Sequence, residues 1–266
     1  MFAILVLALY LAAAALAART ATREGEPGAL REPAGYAAIA ALVAHAAWLV
    51  QSVQGEGANA LDLADSLSLV GWVIGLTGLV LLTRRGFRVG AALVLALAAV
   101  MSLGTGSHAT FREVARPGWA ITAHILLAAT ASGLLAVGAL LLTLMVVEDA
   151  RLRARRFTGW TRWLPPIESL ERAAFAVIRA GFAALSLALV TGFVFVTDLF
   201  AQHLLHKTVL AIIAWIIFAV LLVGRARLGW RGRKAARLTL AGFVVLVLSY
   251  FGSKFVLEVL LQRHWG

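Results

Sequence analysis

The sequence predicts an all-α fold: a polytopic membrane helical bundle of about eight transmembrane helices, with both termini outside. Three observations predict it. The chain is 62% apolar and 14% charged, whereas soluble domains run near 45–50% and 25%. Its apolar residues gather into runs close to the roughly 20 residues that one helix needs to cross a bilayer. Its basic residues sit in the short stretches between those runs, concentrated on alternate sides.

Taken in order, the first run is 2–18 and ends in small residues, Ala17 and Ala18. A cleaved signal carries positive charge ahead of its apolar stretch. Here Arg19 and Arg23 follow it, so the expectation is a retained first helix. The second run, 36–53, contains His45. The third, 66–83, is preceded by Asp62 and Asp65, which suit a helix N-terminus, and carries Gly71 and Gly75 at a spacing for close helix contact. The fourth is 89–104. The fifth, 119–147, exceeds what a membrane requires and is expected to tilt or project. Beyond Pro165 and Pro166, a short segment with Ile167, Leu170 and Arg172 is expected to lie along the inner surface. Runs 173–197, 207–224 and 238–261 complete the set, with Lys254 and Glu258 spaced to pair on the last. No internal repeat is evident, and these runs leave no room for a soluble domain, so residues 1–266 read as a single transmembrane domain.

Charge orients the bundle. Arg19, Arg23 and Arg31 follow the first run, and Arg84, Arg85 and Arg88 follow the third. Arg151, Arg153, Arg155, Arg156 and Arg162 follow the fifth, and Arg225, Arg227, Arg231, Arg233, Lys234 and Arg237 follow the seventh. The intervening loops hold Arg112 and Arg116 and almost nothing else basic. The positive-inside rule makes the four basic loops cytoplasmic. The net charge of +11 is then a topology signal, and no nucleic-acid partner is expected. The absence of cysteine removes disulfides, thiolate metal sites and a C-x-x-C-H heme attachment. No Walker A loop or Ser/His/Asp arrangement appears, so neither a nucleotide enzyme nor a hydrolase is expected.

The six histidines all fall on the outer side of this topology, which was assigned from Arg and Lys alone. Neutral imidazole is a good ligand for iron, copper or zinc, and ionisable groups within a membrane point to function by default. His124 lies near the outer start of its helix, and His203 and His206 are three apart, sharing a face if helical. These three are the candidate metal ligands. His45 fits either a ligand or a hydrogen-bonded core histidine. His108 and His264 read as solvated loop residues. Trp48, Trp72, Trp119 and Trp265 read as an interfacial belt. Trp215 is deeper, where packing within the bundle or on a flat ligand would each use its ring.

Several stretches carry a family resemblance: HAAWL at His45, TAHILLA at His124, LPPIESLER at 164–172, GFAALSLALVTG at 181–192, DLFAQHLLHKTVLAIIAW at 198–215, LGWRGR at 228–233 and SYFGSKFVL at 249–257. Together they resemble the cytochrome c assembly superfamily of heme-handling membrane proteins, which includes the CcsA and CcmC types, and most of all its YpjD-like branch. The resemblance is strongest over 119–261. It implies a bacterial inner-membrane bundle binding heme b near its outer face. His124 matches the first external heme histidine of CcsA-type members, and Lys207 and Trp215 match a lysine and a tryptophan that follow their tryptophan-rich loop. Here the loop at 198–207 has two histidines and no tryptophan, and His264 is displaced from the place of the second external histidine.

The resulting expectation is a heme-binding inner-membrane protein for heme handling or cytochrome c assembly. His124, with His203 or His206, would hold iron, and His45, Lys207 and Trp215 would complete the cofactor site. Lys207, Arg112 or Arg116 would meet the propionates. Lipid and other cytochrome-maturation proteins are the implied partners. The alternatives are a metal-ion or small-solute transporter using the outer histidines as an entry site, and a non-enzymatic structural or regulatory subunit.

Overall fold

A computed structural model of the chain describes residues 2–21, 32–54, 63–84, 86–104, 119–155, 163–195 and 202–249. Among them are eight α-helices and no strand: α1 (Phe2–Arg19), α2 (Pro33–Gln54), α3 (Leu63–Leu82), α4 (Arg88–Met101), α5 (Trp119–Arg153), α6 (Ile167–Phe195), α7 (Gln202–Leu228) and α8 (Gly232–Val247). A 3-10 turn, Ser102–Gly104, extends α4. A helix satisfies its backbone amides within its own segment in a hydrocarbon solvent, which is why continuous apolar runs of this length take this form. Five of the helices are long and apolar enough to cross a membrane. At 35 residues α5 is roughly 50 Å long against a hydrocarbon core of about 30 Å, as its run of apolar residues requires.

Several boundaries differ from the sequence expectation: α5 runs on to Arg153 rather than 147, and α7 begins at Gln202 rather than 207, so the positions of His203 and His206, expected in a loop, belong to its first turns. The segment after Pro165 and Pro166 does not lie apart from the sixth helix but is its first two turns. The Pro166 carbonyl accepts from the Ser169 and Leu170 amides at 2.8 and 3.1 Å, and no helix breaker follows before the apolar run. The prolines supply the start, since the residue before a proline is driven from helical geometry. The last helix begins at Gly232 rather than near 238. Its first turns hold Arg233, Lys234 and Arg237, charges that hydropathy reads as loop although they sit well on a helix at the water interface. Lys254, Glu258, His108, His264, Arg112 and Arg116 lie outside the described residues.

The chain forms two compact units. One is Met1–Pro117 with Leu144–Ala173, and the other is Gly118–Thr143 with Ala174–Gly266. In the first unit α1, α2, α3 and α4 pack mainly in a closed cycle, each against two neighbours. Their contact faces are small: Ala13, Ala17, Ala38, Ala41, Ala91 and Ala98 are fully or almost fully buried. Small faces let helix backbones approach closely, the main source of association where lipid is as apolar as the protein. Gly71 and Gly75 serve this purpose as their spacing suggested. A Cβ on Gly71 would meet Met101 Cβ at 2.8 Å, and one on Gly75 would meet the Tyr10 hydroxyl at 2.5 Å. Glu32, just ahead of α2, pairs with Arg88 at the start of α4 through two bonds of 2.6 Å.

In the second unit α5 and α6 mesh through small residues: Gly138 lies under Ile178, and Gly181 under Leu135. Phe182 of α6 stacks on Trp215 of α7 with ring centroids 5.5 Å apart. Gly242 of α8 receives Phe218 of α7. Val190 and Val194 on α6 and Val209, Ile213, Val220 and Val223 on α7 are all more than 40% exposed, an apolar outside that suits acyl chains.

Candidate functional site

The second unit carries the arrangement closest to a ligand site, centred on His124. This histidine stands five residues after the first residue of α5 and is half-buried. Its Nδ1 lies 2.8 Å from the Ala188 carbonyl oxygen of α6 and 3.3 Å from the Thr191 hydroxyl. A carbonyl oxygen can only accept, so Nδ1 carries the proton and donates. In the neutral ring Nε2 is then the unprotonated nitrogen, and among the described residues it has no hydrogen-bond partner. Thr191 closes the local network by donating back to α6 carbonyls at Leu187 and Ala188. The ring lies against α6 where Gly192 has no side chain: a Cβ there would come 3.1 Å from His124 Cε1 and 3.4 Å from Nδ1. A histidine whose inner nitrogen donates to a backbone carbonyl, with its ring fixed by packing, is the usual form of a metal-ligating imidazole.

The other expected site residues are distributed differently. His203 and His206 fall in the first two turns of α7, and their three-residue spacing puts them on one helix face. Lys207 follows them, half-buried, with its carbonyl accepting from the Ser249 hydroxyl at 2.8 Å. Trp215, two turns further along α7, donates from Nε1 to Ser186 Oγ at 2.8 Å while its ring stacks on Phe182. Ser186 and Ala188 are two residues apart on α6, which turns them to nearly opposite sides of the helix. Trp215 and His124 therefore hold different faces of α6. Among the described residues no three His, Asp or Glu side chains come together as a metal site.

His45 belongs to the first unit and is fully buried. Nδ1 is 3.2 Å from the Tyr10 hydroxyl and Nε2 is 2.7 Å from the Ser68 hydroxyl. Both ring nitrogens are engaged, so His45 has no nitrogen free for iron in this conformation. The triad ties α1, α2 and α3 together. Tyr10, Ser68, Ala188, Thr191, Gly192 and Ser186 were not singled out from the sequence. The hydrogen-bond partners lie 23 to 67 residues away along the chain, and only the stretch 181–192, which holds Ser186, Ala188, Thr191 and Gly192, carried a hint of them.

Fold and site together define a multi-pass helical membrane protein that presents a polarised imidazole on one helix pair. Comparison with known proteins makes the class specific. Residues 60–261 match the family model described as cytochrome C assembly protein, and the chain belongs to that family. It is 31% identical to the inner membrane protein YpjD of Escherichia coli strain K12 over 247 residues, 88% of this chain and 92% of that one. It is 31% identical to an uncharacterized 28.8 kDa protein of Azospirillum brasilense, covering 81% of this chain and 82% of that one. It is also 26% identical to the cytochrome c biogenesis protein CcsA of Microcystis aeruginosa, covering 82% of this chain and 66% of that longer protein. No solved structure matches. The chain is accordingly a multi-pass protein of the bacterial plasma membrane in a cytochrome c assembly family.

Proposed function

We propose that this protein binds heme b at the outer end of its second unit, where His124, through Nε2, and His203 or His206 would hold the iron. The observation that carries the reading is the 2.8 Å hydrogen bond from His124 Nδ1 to the Ala188 carbonyl. It fixes the tautomer that leaves Nε2 unprotonated and raises its basicity, as a ligand requires. The donor set fits the group, since heme iron accepts imidazole axial ligands and the surrounding α6 and α7 surfaces are apolar. Bound heme would supply a redox-active iron that can be held or passed on.

The chain's residues would do the rest. Gly192 lets the His124 ring lie close on α6, and Thr191 keeps the Ala188 carbonyl in place. Lys207, one residue beyond His206, would meet a propionate by a charge-assisted bond. Trp215, anchored on Ser186 and Phe182, would hold α7 against α6 so that the ligand pair keeps its spacing. His45 would contribute by locking α1, α2 and α3. The resemblance to CcsA, a protein named for cytochrome c biogenesis, supports heme handling as the role.

The test is heme content after purification from a heme-replete host. Wild type should retain heme, and His45→Phe should retain it too. His124→Ala, and the double change His203→Ala with His206→Ala, should each lose it. Heme-free wild type, or full retention in His124→Ala, would overturn the proposal.

A further inference from the structure

The turn from α7 into α8 is basic and unusually well fixed. Leu228 ends α7, and Gly229 and Gly232 both take left-handed backbone angles, φ +65° and +61°. Between them the Trp230 amide donates to the Gly224 carbonyl at 3.1 Å, and Arg225 Nη1 donates to the Trp230 carbonyl at 3.3 Å. The indole lies on Gly224, where any side chain would collide with it. Lys234 Nζ sits 3.5 Å from the indole centroid. Trp230, Arg233, Lys234, Arg237 and Leu238 line an open pocket of about 680 Å³. Arg233, Lys234, Arg237 and Leu238 are spaced to share one face of α8, and Trp230 reaches that face from the turn before it. That face continues along α8 through Leu240, Val244 and Leu248, each exposed by 41–53%.

The charge is one-sided. The second unit's sequence holds only two side-chain carboxylates, Asp198 and Glu258, and neither falls in the stretch 224–248. The positive-inside rule places the turn at the cytoplasmic interface. A basic pocket with an indole at the headgroup level and an apolar track beneath it has the shape and polarity of one phospholipid.

We propose that this face of α8 is a binding site for an anionic phospholipid of the inner leaflet, its phosphodiester held by Arg233, Lys234 and Arg237 and its acyl chain lying along Leu240, Val244 and Leu248. Trp230 holds the Lys234 ammonium at the interface, where cation and indole attract. Basic pockets on the cytoplasmic side of transmembrane helices recognise anionic headgroups in this way.

The experiment is native mass spectrometry of the full chain from mixed micelles. These hold phosphatidylglycerol or cardiolipin against equal phosphatidylcholine. Wild type should keep the anionic lipids in preference to phosphatidylcholine. Each cation removed should weaken retention about fivefold, so Arg233→Gln, Lys234→Gln and Arg237→Gln together should lower it by about a hundredfold. Removing three other cytoplasmic charges, by Arg151→Gln, Arg153→Gln and Arg155→Gln, should leave it within about twofold. Equal retention of both lipid classes by wild type would overturn the proposal without recourse to any variant. So would equal losses in the two triple variants, which would assign the effect to surface charge in general. Displacement of the lipid by millimolar inorganic phosphate would overturn it in favour of a free-phosphate site.

Discussion

Gly192 offers a graded test of how His124 is held. A Cβ at this position lies 3.1 Å from His124 Cε1 and 3.4 Å from Nδ1, tighter than an ordinary carbon contact of about 3.5–4.0 Å. In Gly192→Ala the ring must yield by a few tenths of an ångström. That stretches the 2.8 Å bond to Ala188 to about 3.1 Å, still within hydrogen-bond range. In Gly192→Val the γ-methyls reach about 1.5 Å further, which drives Nδ1 out of range. Loss of such an outer partner lowers metal affinity by about 10–100-fold. Alanine should therefore weaken heme binding by severalfold at most, and valine by about 10–100-fold. Folding should respond differently. Removing a helical glycine favours the helix by up to about 1 kcal/mol, and the half-exposed ring can swing outward. Heme titration followed by absorbance gives the affinity, and thermal unfolding of the heme-free protein gives the stability. Equal affinity in glycine, alanine and valine forms would refute the reasoning. So would affinity losses that merely track stability.

Three further outcomes follow from the first unit and from pH. Gly75→Ala should destabilise by about 2–4 kcal/mol, combining overpacking against Tyr10 with loss of the Tyr10–His45 bond. Tyr10→Phe should partly rescue it in a double-mutant cycle, because the hydroxyl is the closest atom. Arg88→Ala should cost about 1–3 kcal/mol in denaturant unfolding, because it removes two charge-assisted bonds from a carboxylate whose side chain is only 20% exposed. Acid should release heme before the protein unfolds, since protons compete with iron for imidazole; retention unchanged down to acid unfolding would count against histidine ligation.

The helix count and its approximate limits were legible in the sequence because a lipid solvent makes hydropathy a direct reading of burial. Where hydropathy was misleading, charge was the reason. Arg233, Lys234 and Arg237 read as loop, yet they occupy the first turns of α8. Arg172 likewise suggested a separate surface segment, although α6 runs through it without a break. His124 stood out from its type and place. What made it distinctive, the Ala188 carbonyl and the bare backbone at Gly192, depends on how α5 and α6 pack, which no local pattern encodes. His45 shows the converse. Its position suggested a ligand or a core residue equally, and only Tyr10 and Ser68, 35 and 23 residues away, distinguish the two. Trp215 similarly acquires its packing role from Ser186 and Phe182.

The central claim is that His124 Nε2 ligates heme iron, and ligand replacement tests it most directly. The reduced absorption spectrum of His124→Gly, purified with heme and titrated with free imidazole, should be compared with that of wild type. The account predicts that wild type shows the sharp Soret and α bands of a six-coordinate heme b. It predicts that the variant loses them and that added imidazole restores them. A variant spectrum identical to wild type before any imidazole is added would contradict it.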